Sequence, residues 1–173
     1  MTSNRKLIYL TIVAVTLSII NLVWPYLGRS KTTSQDTSIN TENTFKVSRA
    51  IDGDTIVLET GQKVRYIGID SPENTSKDQK DKCISEQALN KNKELVEGKI
   101  VTLEKDISET DKFGRLLRYV YINGLFVNEY LVKEGYAEET AFPPDIKYLE
   151  TFRTAEKEAK AKNKGMWGAF CNL

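Results

Sequence analysis

Asp52-Gly53-Asp54-Thr55, Arg65-Tyr66-Ile67-Gly68-Ile69-Asp70-Ser71-Pro72-Glu73 and Asp111-Lys112-Phe113-Gly114-Arg115 set carboxylates and arginines at the ends of strand-like apolar segments. Rigid strand ends can aim such side chains into one cleft. Carboxylates are hard oxygen ligands suited to Ca²⁺ or Mg²⁺. Arginine's planar fork grips phosphate oxygens and offsets charge that builds in a transition state. These residue types together point to metal-assisted hydrolysis of a phosphodiester.

Composition narrows the chemistry. The 173 residues include no histidine and two cysteines. That excludes a Ser-His-Asp triad, paired-histidine catalysis, histidine-metal sites and a four-thiolate cluster. Residues 1–44 hold four of the 25 Lys/Arg and two of the 24 Asp/Glu, which leaves 21 basic and 22 acidic groups in residues 45–173, a net of −1. A general nucleic-acid coat is distinctly basic, so contact with nucleic acid must come from a local, salt-sensitive patch.

Asp54 ends a turn and opens a strand, so its carboxylate can project from a barrel rim; alone, it reads first as an Asp-Gly turn residue, and its pairing with Asp70 lifts it above that. Asp70 closes a neighbouring strand, and Ser71-Pro72 fixes an extended turn after it. Two carboxylates from adjacent strands can share one cation, with the Ser71 carbonyl and waters completing the shell. Glu73 lies past the proline turn, where it could hold or deprotonate an attacking water, or bind the cation through water; its plain alternative is a solvated loop glutamate. Arg65 stands five residues before Asp70, an odd spacing that puts the two on opposite faces of an ideal strand unless Gly68 accommodates a bulge. Arg115 follows Gly114 at the start of another strand and can reach a phosphate from the other side, with Lys112 nearby as a substrate contact. Either arginine could instead form a surface salt bridge.

The elements that position these groups follow from periodicity. Phe45–Ile51 alternates as a strand, Thr55–Leu58 follows the Asp-Gly turn, and Val64–Ile69 follows a turn at Gly61, giving an antiparallel meander. Ile84, Ala88, Leu89, Leu95 and Val96 predict an amphipathic helix ending near Gly98. Ile100–Leu103 and Leu116–Ile122 are fourth and fifth strands, and Asn123-Gly124 signals a hairpin. Asn128 is expected to cap a short helix closed by Gly135, and residues 146–163 form a charged amphipathic helix. The order predicts an α+β domain: a five-stranded OB-type Greek-key β-barrel with about three packed helices, spanning residues 45–173.

Before that domain, Leu7–Leu27 is uncharged over 21 residues, the length of a membrane-spanning helix. Residues 1–29 therefore read as a membrane anchor or a signal segment, and residues 30–44 as a flexible polar linker. The expected location is the extracellular face of the cell membrane, with secretion after cleavage as the alternative. Export into an oxidising space makes a Cys83–Cys171 disulfide the expectation, against two buried free thiols if the domain faces a reducing cytoplasm. Cys83 is placed at the start of the first domain helix.

Ile51-Asp-Gly-Asp-Thr55, Val64-Arg65 through Glu73 and Asp111-Lys-Phe-Gly-Arg115 closely resemble the staphylococcal nuclease (thermonuclease) family. Val127-Asn128-Glu129, Lys133 to Ala137 and Lys164-Gly165-Met166-Trp167 extend the resemblance over roughly residues 45–171. It implies a Ca²⁺ site at Asp54, Asp70 and the Ser71 carbonyl, phosphate arginines at Arg65 and Arg115, and a catalytic glutamate at Glu73. It also implies hydrolysis of single-stranded or frayed DNA and RNA with little sequence preference, leaving 3′-phosphates. Three departures stand out: Ser71 replaces a usual threonine, Phe113 a common tyrosine, and Thr140–Pro144 lacks the tyrosines that stack on a base. A catalytically silent binding module of the same barrel is the competing reading.

Overall fold

The structure, a computed structural model, describes residues 43–75, 77–169 and 171. Three strands open the domain as a meander: β1 (Thr44–Ala50), β2 (Thr55–Leu58) and β3 (Lys63–Tyr66). A short β4 (Ile69–Asp70) leads to helix α1 (Gln79–Val96). Then come β5 (Ile100–Glu104), β6 (Leu116–Ile122), β7 (Leu125–Phe126), α2 (Val127–Lys133), β8 (Glu138–Glu139) and α3 (Leu149–Ala161). β1 pairs antiparallel with both β2 and β5, and β5 with β6. β6 returns parallel to β3, Val64 opposite Leu116 and Tyr66 opposite Arg118, which closes the five strands into a barrel. Closure leaves no long edge at the rim from which the candidate residues project.

The barrel interior is filled by inward-facing Val47, Ile56, Leu58, Val64, Val101 and Val120, as period-two alternation requires. Helices α2 and α3 cover one end through Leu131 and Phe152, both fully buried. An aromatic cluster seals that contact: Tyr119 meets Tyr148 edge-on at 4.6 Å, and Tyr121 stacks on Phe126 at 4.7 Å. The hairpin at Asn123-Gly124 forms as expected, both residues having positive φ (49° and 81°), the signature of a two-residue primed turn.

Several elements differ in detail from the sequence expectation. The strand expected over Val64–Ile69 is interrupted, because Gly68 takes φ +78° and a Cβ there would lie 2.5 Å from Phe152 Cε2. The chain thus leaves the barrel after Tyr66 and pairs again as β4 with β8. Asn128 does not cap α2, whose N-cap is Phe126. Buried within the helix, it accepts from the Val120 N–H at 2.9 Å and donates to the Ile67 carbonyl at 3.0 Å, tying β6 to the segment between β3 and β4. Helix α3 is shorter than residues 146–163, and Cys83 lies past the first turn of α1, which begins at Gln79 under an Asp78 cap. The anchor expected over residues 1–29, and the linker up to residue 42, lie outside the described residues. No helix among the described residues is long and apolar enough to cross a membrane.

Cys83 is paired with Cys171, Cα–Cα 5.9 Å, across a sequence separation of 88 residues. This bridge fastens the C-terminal segment to α1. A loop of that size carries a chain-entropy stabilisation of up to about 4–5 kcal/mol. Reduction is expected to lower the thermal midpoint by several degrees without altering far-ultraviolet circular dichroism at 20 °C or so. Thermal melts with and without reductant, beside a Cys83→Ser/Cys171→Ser variant that no longer responds, check this.

Candidate active site

Asp54 begins where the turn between β1 and β2 ends. Its own N–H donates to Asp52 Oδ1 at 3.0 Å, and its carbonyl accepts from the Tyr66 N–H at 2.9 Å. The turn is pressed against neighbours: a Cβ on Gly53 would lie 2.6 Å from Ser71 Cβ and 2.7 Å from Ala88 Cβ, so only glycine lets these segments meet. Asp54 does not project from the rim as expected. It is 4% exposed, and its carboxylate is met by Ser71 N–H at 2.7 Å, Thr55 Oγ1 at 3.1 Å and Arg65 Nη1 at 2.8 Å.

Arg65 gathers the site. Nη1 also donates to the Ile69 carbonyl at 2.8 Å, and Nη2 meets Asp70 Oδ1 at 2.5 Å. The odd spacing between Arg65 and Asp70 is overcome by the break at Gly68, which turns β4 so that Asp70 faces the guanidinium. Two carboxylates thus converge on one guanidinium, one buried and one half-exposed, and Ser71, next to Asp70 in the chain, donates its N–H to Asp54. Burial pushes the Asp54 carboxyl up to about 7; Arg65 opposes that rise, nearby Asp52 adds to it, and the Ser71 N–H opposes it further.

Arg115 and Lys112 stand on a second loop. Arg115 does not open β6, which starts at Leu116. It sits in the preceding turn, its Nε donating to Asp111 Oδ2 at 2.6 Å while its N–H donates to Asp111 Oδ1 at 3.0 Å. Burial acts to raise the Asp111 carboxyl, but the Arg115 guanidinium and the Arg115 and Phe113 N–H groups outweigh it and hold it below the usual range. Lys112 lies over the Phe113 ring at 5.0 Å. Arg65, Lys112, Phe113, Arg115 and Phe142 share the lining of a cleft of about 470 Å³.

Glu73 is not in that group. It is exposed on the loop after Ser71-Pro72 and accepts from Thr75 Oγ1 at 3.1 Å. With Asp70, Ser71 and Trp167 it lines a separate cavity of about 480 Å³. Asp70 lines this second cavity, while its carboxylate pairs with Arg65, which lines the first.

Sequence reasoning missed two contributors. Phe142, 73% exposed on the Phe142-Pro143-Pro144 loop, joins Phe113, 72% exposed, at the cleft. The second is Asn92 of α1, 0% exposed, whose Nδ2 donates to the Asp52 carbonyl at 2.9 Å.

Residues 63–169 match the family described as "Staphylococcal nuclease homologue". Endonuclease YncB of Bacillus subtilis (strain 168) is 43% identical over 126 residues, which are 70% of this chain and 60% of that protein. The Thermonuclease of Staphylococcus hyicus is 36% identical over 129 residues, 73% of this chain and 76% of that protein. The Thermonuclease of Staphylococcus intermedius is 32% identical over 160 residues, covering 90% of this chain and 95% of that protein. A closed five-stranded barrel with three helices fits the same fold, and the chain belongs to the staphylococcal nuclease family.

The raised Asp54 pKa sets a stability signature for the metal-free protein. The folded-state value, about 7, lies above the ordinary 3.8, so the folded state binds the extra proton between those limits. Stability from this group is full at the acid end and falls as pH rises through that window, by up to about 1.4 kcal/mol per pH unit. In chelator, the stability difference between wild type and Asp54→Asn is expected to move in the variant's favour from pH 4 or so to about 7. Urea unfolding at several pH values measures it; a constant difference would contradict the assignment.

Proposed function

We propose that this protein is a Ca²⁺-dependent phosphodiesterase that hydrolyses DNA and RNA, favouring single-stranded or frayed regions. The observation that carries the reading is the convergence of Asp54 and Asp70 on Arg65, beside a cleft that adds Arg115, Lys112 and two exposed aromatics. The names of the relatives, endonuclease and thermonuclease, support the reaction class.

The residues present suit a hard cation. Every donor is oxygen, and the two carboxylates already face a shared positive group, the guanidinium. Among the described residues no set of three acidic, histidine or cysteine side chains clusters to form a metal cage. Asp54 and Asp70 would thus hold the ion, with the Ser71 carbonyl and waters completing the shell. Bound there, it would supply positive charge to a phosphate oxygen and favour ionisation of nearby water.

The chain's own groups do the rest. Arg65 and Arg115 grip non-bridging phosphate oxygens as charge grows in the transition state, which requires Arg115 to loosen from Asp111 and Arg65 to share its contact with the carboxylates. Lys112 offers a point charge to an adjacent phosphate. Phe113 and Phe142 present open faces on which an unpaired base can stack, whereas a paired base keeps its faces inside the duplex. That accounts for a single-strand preference without base-edge recognition, hence little sequence specificity. Glu73 is the carboxylate available to orient the attacking water or take its proton. Cleavage of the 5′ P–O bond leaves a 3′-phosphate on one fragment and a 5′-hydroxyl on the other. The Cys83–Cys171 pair supports an oxidising compartment, in line with Leu7–Leu27 delivering the domain to the extracellular face of the membrane, either anchored or released.

Hydrolysis of supercoiled and heat-denatured DNA with calcium or chelator tests the proposal, together with Arg65→Lys and Arg115→Lys. Wild type is expected to cut only with calcium and faster on denatured DNA. Each lysine variant keeps the charge but not the two-point grip, and should lose on the order of 10²–10³ in kcat. Near-wild-type turnover of either variant would make that arginine a structural salt bridge, and calcium-independent cutting would remove the cation from the mechanism.

A further inference from the structure

The stripe of α1 that faces the barrel reads Ile84, Ala88, Asn92, Val96, all buried. An amide in that series is out of place on hydrophobic grounds, since an unpaired buried amide is strongly unfavourable. Asn92 is fully paired, and its two partners lead to the site. Its Oδ1 accepts from Tyr66 Oη at 2.9 Å, and its Nδ2 donates to the Asp52 carbonyl at 2.9 Å. Tyr66 is 1% exposed. The Asp52 carbonyl can only accept, so the Nδ2 end must face it, and Oδ1 is left to take the Tyr66 hydroxyl proton. Tyr66 reaches the same turn a second time, its N–H donating to the Asp54 carbonyl at 2.9 Å.

The turn Asp52-Gly53-Asp54 is thus held at each residue. Asn92 takes the Asp52 carbonyl, Ala88 one helical turn earlier abuts Gly53, and Tyr66 takes the Asp54 carbonyl. Resting on the reading of Asp54 as a cation ligand, we propose that Asn92, held at its other end by Tyr66, is a positioning residue that sets the Asp54 carboxylate through the Asp52 carbonyl. Asn92 touches neither substrate nor cation. It converts the rigidity of α1 into a fixed turn geometry, the part that partners behind a ligand play in metal sites.

Two variants separate positioning from bulk stability. Asn92→Ala leaves the Tyr66 hydroxyl and the Asp52 carbonyl unpaired. Asn92→Leu with Tyr66→Phe replaces the amide–hydroxyl pair by apolar groups, which keeps the core filled while deleting the bond to Asp52. Hydrogen exchange of the metal-free proteins reads the turn directly through the Asp54 N–H, which bonds Asp52, and the Ser71 N–H, which bonds Asp54. Both variants are expected to lose at least about tenfold protection at these two amides beyond any change at Val101 and Leu103 on the far strand. Calcium affinity by calorimetry, at a temperature where each variant is folded, is expected to weaken about 10–100-fold. Protection lost uniformly, or unchanged at Asp54 and Ser71, would overturn the positioning role. Calcium affinity equal to wild type in the folded double variant would do so as well. If wild type itself takes up no calcium, the cation reading fails, while the exchange pattern still decides whether Asn92 sets the turn.

Discussion

A carboxylate buried at the end of a β-barrel must be compensated, and the arrangement around Asp54 is that compensation. An isolated charge there would be protonated or would unfold the site. Arg65, the Ser71 N–H and the Thr55 hydroxyl converge on it and offset part of that cost, while burial still holds its carboxyl up at about 7. Each partner comes from a different part of the chain, so β2, β3 and the segment after β4 have to be brought together before the charge is tolerable. The guanidinium then extends to Asp70, and one cation neutralises two carboxylates. Such a triad is not mainly a source of stability, because desolvation offsets most of its attraction. Its value is that it keeps two carboxylates and an arginine in one place.

The barrel makes this possible through its closure. The parallel pairing of β3 with β6 aligns Arg65 opposite Leu117 and brings the Asp111–Arg115 turn beside it. Helix α1 presses on the opposite side of the Asp52–Asp54 turn, and the disulfide fastens that helix to the C-terminal segment carrying Trp167. The result is two open spaces, one basic and aromatic, the other lined by Asp70, Ser71, Glu73 and Trp167. Because the domain carries a net charge near zero, attraction must come from this local set rather than from a general basic surface.

Much of this was legible in the sequence, for identifiable reasons. Alternation in Phe45–Ile51 and Leu116–Ile122 marks strands because one face is core and the other solvent. The Asp, Arg and Glu motifs were visible because charged residues beside glycine or proline at strand ends are informative. What the sequence obscured are effects of backbone breaks and of buried polar groups. Gly68 adopts a conformation outside the strand's period of two, so residue spacing permits the meeting of Arg65 with Asp70 without requiring it. Asn128 looked like a cap because asparagine favours that position, yet the strands it ties are distant in sequence. Asn92 carried a readable signal, a polar residue on the four-residue recurrence of Ile84, Ala88 and Val96, but its partners could be named only once the helix was docked. Phe142 follows no period at all, since it belongs to a loop.

If Asp54 and Asp70 form a cation site, Arg65 is the group that neutralises it when no ion is bound. Calorimetric titration of calcium into metal-free wild type and Arg65→Gln puts that relation to the test. Removing the guanidinium removes a positive charge that repels the incoming ion and competes for the same oxygens. Wild type is expected to take up one ion per chain. At a pH high enough to ionise Asp54 in both proteins, Arg65→Gln should bind it several-fold tighter, up to about tenfold, a gain of up to about 1.4 kcal/mol. No uptake by wild type, or weaker binding by the variant, would contradict the shared site.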